Sequence, residues 1–205
     1  MVTIIDYGMG NLRSVQKGFE KVGVEAILTT DAEAVKSASK IVLPGVGAFR
    51  DCMDNLNKLN LIDPILEHIN SGKPYLGLCL GMQVLFSESD EFGVTKGLDV
   101  IKGRVVKFPE EEFRAEKRKI PHMGWNALKI QKETPILNGI ADETYVYFVH
   151  SFYVKPEDDS VSATKTEYGF DFTSMISYKN VFACQFHPEK SQTQGLKILR
   201  NFGDI

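Results

Sequence analysis

The sequence predicts an α/β protein: a single domain with an open, mixed and mainly parallel sheet flanked by helices, and with antiparallel strands in its second half. Two observations support this fold class. In the first half, short buried strands alternate with amphipathic helices, which is typical of a parallel sheet covered on both faces. In the second half, apolar and polar residues alternate over short stretches, which favours antiparallel strands. Because the 205 residues contain no repeat, low-complexity tract or linker, we expect one domain over residues 1–205.

Four strands and three helices are predicted over residues 1–80. The strands are "VTIID", "EAILTT", "KIVLPGVG" and "PYLGLCL". Apolar residues recur at helical spacing over residues 12–22, and Gly23 ends this first helix. Asp31 is a suitable N-cap for the second helix, "AEAVKSA". The third helix has its apolar face over residues 61–69 and ends near Gly72.

The second half, from about residue 93 to residue 178, is predicted to be richer in strands. The clearest alternating stretches are "YVYFVHSFYV" and "DFTSMISY". The charged run "EEEFRAEKRK" between them and the first half is interpreted as a solvated loop. "FACQFHPE" is then predicted as a last strand and "SQTQGLKILRNF" as a closing helix.

Composition excludes several classes of function. There are 24 Lys and Arg against 27 Asp and Glu, a net charge of -3, so no basic field favours nucleic acid and no nucleic-acid partner is expected. No apolar run approaches the roughly 18 residues of a membrane span, and the amino terminus does not resemble a signal peptide. Three widely spaced cysteines without a C-x-x-C pair argue against disulfides and zinc. We therefore expect a cytoplasmic protein that uses a small molecule or a protein partner, without metal or cofactor.

The pattern Gly77-x-Cys79-x-Gly81 has the form of a nucleophile elbow, G-x-S-x-G, with sulfur in place of oxygen. It follows a predicted strand and precedes "GMQVLFSES", which is interpreted as helical. The flanking glycines would remove side chains that collide in a sharp turn, and the positive end of the helix would favour a thiolate. The alternative is a buried core cysteine between two chance glycines, and this pattern alone leaves both open.

A thiol nucleophile needs a base, and His187 is the best of four histidines. In "FHPEK", Glu189 lies two residues beyond His187, and the proline between them restricts the backbone. A neighbouring carboxylate holds an imidazole in one tautomer and stabilises its protonated form. His68 is expected on the surface, on the polar side of its helix, while His122 and His150 lie in less defined segments.

Two cofactor sites are excluded by residues that their motifs require and that this chain lacks. His-x-Glu begins the zinc deaminase signature, but no cysteine follows Cys184 to complete that site. "GMGN" begins like the dinucleotide motif, but Arg13 occupies the position of the third glycine. The turn "LPGVG", residues 43–47, could bring a backbone N–H group close to a substrate oxygen, where it would form an oxyanion hole together with the N–H of Leu80. Taken alone, this motif favours an ordinary strand-to-helix turn.

"PGVGAF", "GLCLGMQVLF" and "QFHPEKS", in this order and spacing, resemble the class I, triad-type glutamine amidotransferase family. "IDYGMGNLRSV", "PHMGWN" and "YFVHSF" narrow the resemblance to the branch that serves histidine biosynthesis. The resemblance covers nearly the whole chain and implies a flavodoxin-like fold. It implies that Cys79 attacks the carboxamide of L-glutamine, that His187 moves the protons and that Glu189 orients His187. The oxyanion and substrate-binding positions that it implies are Gly45, Val46, Gly47, Leu80, Gln83, Ser151 and Phe152.

The resemblance also implies a partner. Ammonia is expected to pass to a separate cyclase subunit with a (β/α)₈-barrel fold, in a heterodimer with this chain. Glutaminase activity is expected to be weak until that partner binds its own ligand, and the movable element is expected to be the peptide around Val46, which lies between glycines. The alternative to an interface role is core packing for Trp125, and for Lys190 it is a solvated charge on the surface. The implied interface residues are Asn11, Met123, Trp125, Asn126, Tyr147 and Lys190.

Three other functions remain open at the level of the sequence. A paralogous subunit could supply ammonia to a barrel-like partner in another pathway, such as surface-sugar amidation. The chain could be a catalytically silent binding module, although an intact Cys79, His187 and Glu189 argue against it. A thiol peptidase or γ-glutamyl hydrolase with similar geometry would cleave γ-glutamyl peptides without a partner.

Overall fold

A computed structural model describes all residues 1–205, and it confirms the predicted fold class. Thirteen strands form one connected mixed sheet. The strands are β1 Val2–Ile5, β2 Ala26–Thr29, β3 Ile41–Gly45, β4 Tyr75–Cys79, β5 Phe86–Ser89, β6 Thr95–Lys96, β7 Ile101–Lys107, β8 His122–Ile130, β9 Thr144–His150, β10 Phe152–Pro156, β11 Ser162–Glu167, β12 Asp171–Tyr178 and β13 Val181–Cys184. The four strands predicted in the first half are β1 to β4, and the alternating stretches of the second half are β9, β10 and β12.

Seven α-helices and three short 3-10 helices flank the sheet. The α-helices are α1 Leu12–Lys21, α2 Ala32–Ser37, α3 Phe49–Lys58, α4 Ile62–Asn70, α5 Leu80–Gln83, α6 Glu110–Ala115 and α7 Gln192–Asp204. The 3-10 helices are Pro135–Leu137, Asp159–Val161 and Pro188–Lys190. Asp31 caps α2 as predicted, because its Oδ1 accepts a hydrogen bond of 2.7 Å from the N–H of Ala34. No helix combines the length and the apolar character that a membrane crossing requires.

The order of the strands places the ends of β3, β4 and β13 side by side. The sheet runs β2-β1-β3-β4-β13-β12-β10-β7-β5-β6, and its first five strands are parallel. Two hydrophobic clusters of 26 buried residues each show that both faces of the sheet are covered. Ligands of such sheets bind beyond the carboxyl ends of the strands. The register pairs Gly45 with Cys79 and Leu78 with Cys184, so three predicted site segments meet at this edge.

A two-stranded ribbon extends from the sheet in the second half. Strands β8 and β9 pair antiparallel, with Trp125 opposite Tyr147 and His122 opposite His150. The ribbon joins the main sheet through β11, which pairs with both β8 and β12. Because side chains alternate along a strand, Met123 and Trp125 share one face of β8 and His122 and Asn126 share the other.

Four local expectations were wrong or incomplete. "GMQVLFSES" is helical only over α5, and its last four residues form β5 against β7. The charged run is not all loop, because α6 forms there and buries Phe113. His68 is buried rather than on the surface, with its Nε2 3.1 Å from the carbonyl oxygen of Pro74. The helix α3 was missed, although Phe49, Cys52 and Leu56 recur at helical spacing and are buried.

Candidate active site

Cys79 lies at the turn between β4 and α5 in a strained backbone conformation. Its φ of 53° and ψ of -105° lie outside the regions that side-chain-bearing residues favour. A methyl group on Gly77 would overlap the carbonyl of Gly81, and one on Gly81 would overlap the carbonyl oxygen of Leu43. The glycines therefore make the turn possible for the steric reason that the elbow pattern implies. Because α5 has only four residues, however, the turn is not followed by the longer helix that was expected.

His187 lies just beyond the end of β13, next to the strand that ends in Cys79. Its Nδ1 is 2.9 Å from Oε1 of Glu189, and both side chains are almost completely buried. A buried carboxylate oxygen accepts, so Nδ1 carries the proton. The backbone of His187 is hydrogen-bonded to Tyr147 on β9, because the N–H of His187 donates to the carbonyl oxygen of Tyr147. Ser191 adds a second link: its Oγ donates to the carbonyl oxygen of His187 and accepts from the N–H of Tyr147.

The charge state of His187 is set by competing effects. Burial by itself would lower the pKa of its imidazole, but Cys79 and Glu189 outweigh burial and raise that pKa to about 10. The Nε2 atom is buried and has no aligned hydrogen-bond partner, so Cys79 acts on it by proximity rather than through a formed bond. His187 is therefore protonated at neutral pH, with Nε2 free to exchange a proton with a reacting group.

A pocket of about 600 Å³ contains the thiol of Cys79 and the imidazole of His187. Its size suits a small molecule. A more open concavity of about 980 Å³ near residues 132–140 and the carboxyl terminus contains neither group, so size alone does not identify the site. The smaller pocket is lined by Val46, Gly47, Cys79, Leu80, Gln83, Glu91, Phe92, Lys107, Pro121, Val149, His150, Ser151, Phe152 and His187.

The structure brings most of the predicted substrate positions to this pocket. Val46, Gly47, Leu80, Gln83, Ser151 and Phe152 line it, and Gly45 lies directly behind it, paired with Cys79 in the sheet. Val46 is 42% exposed, and Gly47 has a φ of 98°. The backbone of this turn is thus accessible to a ligand, and its conformation depends on glycine. A methyl group on Gly45 would overlap the hydroxyl of Tyr7.

Several lining residues were missed by the sequence reasoning. Glu91 and Phe92 enter the pocket from the loop after β5, where Glu91 Oε2 accepts a 2.6 Å hydrogen bond from the N–H of Phe49. Lys107 lies at the end of β7 and forms an ion pair with Glu110. No sequence pattern around Glu91, Phe92 or Lys107 distinguishes them from ordinary surface residues. They come close to Cys79 only because strands that are distant in the sequence pack together.

Four of the six predicted interface residues are grouped on the structure. Met123 and Trp125 are 61% and 44% exposed, and the rings of Trp125 and Tyr147 are 6.1 Å apart. Lys190 Nζ lies 5.8 Å from the centroid of the Tyr147 ring. We call Met123, Trp125, Tyr145 and Tyr147 the ribbon face; the exposed ring of Tyr145 extends it at 61% exposure. Trp125 is therefore not a core residue.

The remaining two interface candidates have different surroundings. Asn11 is exposed and caps α1, because its Oδ1 accepts a 3.3 Å hydrogen bond from the N–H of Ser14. The side chain of Asn126 points away from the ribbon face and donates to Glu167 O and His122 Nε2.

No cluster of His, Cys, Asp and Glu has the arrangement of a metal site.

The fold and the site define a class of protein, and comparison with known families agrees. The family model for class-I glutamine amidotransferases matches residues 3–204. The chain belongs to this family. A crystal structure described as a glutamine amidotransferase superposes with a TM-score of 0.75 at 18% identity, covering 100% of both chains. The structure of PurLQS from Thermotoga maritima superposes with a TM-score of 0.76 at 17% identity, covering 98% of this chain and 96% of that one.

Within the family, three similar curated relatives share one description, imidazole glycerol phosphate synthase subunit HisH. The protein from Syntrophotalea carbinolica is 58% identical over 206 residues, covering 100% of both chains. The protein from Geobacter metallireducens is 55% identical, covering 98% of this chain and 96% of the relative. The protein from Aquifex aeolicus is 53% identical, covering 97% of this chain and 94% of the relative.

Proposed function

We propose that this chain is the glutaminase subunit, HisH, of imidazole glycerol phosphate synthase, which hydrolyses L-glutamine to glutamate and ammonia. The observation that carries the proposal is the meeting of Cys79 and His187 at one pocket, with Glu189 hydrogen-bonded to His187, in a chain that resembles HisH proteins over its full length. The ammonia is passed to a separate cyclase subunit, HisF, of (β/α)₈-barrel fold. The cyclase uses it to form imidazole glycerol phosphate and an aminoimidazole carboxamide ribonucleotide in histidine biosynthesis.

The reaction begins at the sulfur of Cys79, which attacks the side-chain carboxamide carbon of glutamine. The resulting oxyanion faces backbone N–H groups of Leu80 and of the turn 45–47, which form the oxyanion hole. His187, held protonated beside Glu189, gives a proton from Nε2 to the leaving nitrogen, and ammonia departs as the C–N bond breaks. A γ-glutamyl thioester remains on Cys79.

The second half of the reaction releases glutamate. His187, now neutral, accepts a proton from a water molecule, whose oxygen attacks the thioester carbon. The C–S bond breaks, glutamate leaves and the Cys79–His187 pair is restored. Gln83, Ser151 and Phe152 hold the glutamine, since they line the pocket around Cys79. No step needs a metal or a cofactor.

The partner is proposed to bind at the ribbon face and Lys190. An exposed cluster of aromatic rings and Met123 is typical of a protein interface, and β9 connects it to the backbone of His187. Partner binding would set the peptide at Val46 in the orientation that completes the oxyanion hole.

The three cysteines are free and buried, consistent with the proposed cytoplasmic location.

A reconstituted assay tests this function. The purified chain is mixed with the candidate cyclase and its ribonucleotide ligand, and glutamate release and cyclase product are both measured. The Cys79→Ala variant should release no glutamate but should still support product formation when ammonium salts replace glutamine. Product formation from glutamine by this variant would contradict the mechanism. Cleavage of γ-glutamyl peptides by the isolated chain would instead indicate a hydrolase.

A further inference from the structure

A continuous chain of buried hydrogen bonds reaches the sulfur of Cys79 from behind the pocket. Gln185 is fully buried between β13 and His187, and its Nε2 is 3.5 Å from Sγ of Cys79. Its Oε1 accepts a hydrogen bond of 3.0 Å from Nε2 of Gln83. The same nitrogen of Gln83 donates to the carbonyl oxygen of Phe152 at 3.2 Å. Both amide protons of Gln83 are therefore committed, and its Oε1 remains available to a ligand in the pocket.

The chain continues from Phe152 to the ribbon. His150 Nδ1 lies 2.8 Å from the carbonyl oxygen of Phe152, His150 Nε2 lies 2.9 Å from His122 Nδ1, and His122 Nε2 lies 3.2 Å from Asn126 Nδ2. Both histidines are buried, and aromatic rings surround them; His122 stacks on Tyr168 with centroids 4.0 Å apart.

Only one arrangement of protons satisfies these contacts. A carbonyl oxygen can only accept, so His150 Nδ1 carries a proton and donates to Phe152 O. Burial lowers the pKa of His150 to about 3 and that of His122 to about 4, so both rings are neutral. His150 Nε2 therefore accepts from His122 Nδ1, and His122 Nε2 accepts from the amide of Asn126. Asn126, His122 and His150 thus orient one another, and the carbonyl oxygen of Phe152 joins them to Gln83, since it accepts from both His150 and Gln83.

The end of the chain has a chemical consequence at Cys79. The Oε1 of Gln185 is held by Gln83, so its amide N–H groups must face the sulfur. A hydrogen-bond donor directed at sulfur favours the thiolate, and it also restricts the side-chain rotamer of Cys79. Gln185 does not line the pocket, so it acts on the sulfur without touching a ligand there.

We propose that Gln185 is a positioning residue, which sets the direction and reactivity of the Cys79 sulfur, and that His150 on β9 and His122 on β8 support its orientation through the carbonyl oxygen of Phe152, the shared acceptor of His150 and Gln83. The contribution to turnover rests on the proposed glutaminase function. The effect of Gln185 on the reactivity of the Cys79 sulfur does not rest on that function, since it can be measured without glutamine or a partner.

The test uses Gln185→Met, which preserves the volume and removes the donor. The full-length chain is treated with iodoacetamide at neutral pH, and the modified peptide is identified by mass spectrometry. Cys79 is the one thiol that lines the pocket, whereas Cys52 and Cys184 are completely buried. We expect alkylation of Cys79 to slow about tenfold, as for loss of a hydrogen bond to a charged group. Gln194→Met, at an exposed position of α7, is the matched control and should react at the wild-type rate.

Kinetics of the complex with the cyclase give the second measurement. Gln185→Met should lower kcat about tenfold and change KM for glutamine less than about threefold, because Gln83 is retained. His122→Phe preserves the aromatic packing but removes the donor to His150, and it should slow alkylation in the same direction. His122→Asn, whose Nδ2 can replace Nδ1, should restore most of the rate.

An unchanged rate of Cys79 alkylation in Gln185→Met would overturn the proposal. An unchanged rate in His122→Phe would overturn the part of it that assigns a role to His150 and His122. If Gln185→Met does not fold by circular dichroism, Gln185→Leu is the substitute and the same outcomes apply. Absence of glutamate release from the wild-type complex would overturn the proposed function alone, since the alkylation rates would still test the contact with sulfur.

Discussion

At Cys79, separate neighbours hold the backbone and the side chain. The backbone adopts a φ of 53° because Gly77 and Gly81 leave space for the turn. The sulfur lies between the donor of Gln185 and the protonated imidazole of His187. The elbow pattern and the His-x-Glu pair were readable from the sequence because each is local. The contribution of Gln185 was not, since its contact joins residues 106 positions apart in the chain.

We expect the pair His187–Glu189 to determine the alkaline limit of glutamate release. The pKa of His187 is raised to about 10, and the carboxylate of Glu189 contributes to this rise. In Glu189→Gln this contribution is lost, so the pKa falls and the imidazolium disappears at lower pH. We expect the alkaline limb of kcat for glutamate release to move down by about 1–3 pH units. The profile is measured on the complex between pH 6 and pH 11.

The exposed Glu133→Gln is the matched control, and its profile should coincide with that of the wild type. An alkaline limb at the same pH in Glu189→Gln would show that Glu189 does not tune His187.

Among the elements, β3, β4 and β13 decide where the site forms. Their hydrophobic runs could be recognised in the sequence, and the parallel order of the first-half strands followed from the alternation with helices. The order β4-β13-β12 could not be predicted, because β13 enters from the far end of the chain. His68 was misplaced for a similar reason: helical spacing puts it on a polar side, but the carbonyl of Pro74 and the packing of α4 against α2 bury it.

The turn between β4 and α5 should tolerate no side chain at Gly81. A methyl group there would overlap the carbonyl oxygen of Leu43 on β3, which cannot move without breaking the sheet. We expect Gly81→Ala to lower the free energy of unfolding by at least about 3 kcal/mol, measured by urea denaturation.

Gly72→Ala is the control that distinguishes the steric clash at Gly81 from the backbone strain of placing alanine at a positive φ. Its φ of 82° disfavours alanine, but a methyl group would meet open space. We expect a loss of about 1–2 kcal/mol at this position. Equal losses for the two variants would contradict the packing of the elbow against β3.

For the whole molecule, the ribbon face and the pocket lie on elements that contact each other through β9. The sequence alone left Trp125 open between core and interface, and its 44% exposure excludes the core. Because the residues of the proposed partner belong to another chain, this sequence alone could not show how that partner would act on the site. The relatives that match this chain over its full length are named as subunits of imidazole glycerol phosphate synthase, and the assembly proposed for this chain is with a cyclase.

Trp125 is expected to be the main anchor of that assembly. Truncating a central interface tryptophan typically costs 2 kcal/mol or more, so Trp125→Ala should weaken binding of the cyclase at least about thirtyfold. The dissociation constant is measured by titration calorimetry. Leu59→Ala removes a similarly exposed apolar side chain from the end of α3 and should leave the affinity unchanged. Equal affinities for wild type and Trp125→Ala would place the interface elsewhere.

The most direct test of the central claim is the rate of glutamate release by the complex of this chain with the cyclase and its ligand. The wild-type chain should turn over glutamine in the complex and be much slower alone, and Cys79→Ala should release none in either state. Glutamate release by Cys79→Ala, or full turnover by the isolated wild-type chain, would contradict the account.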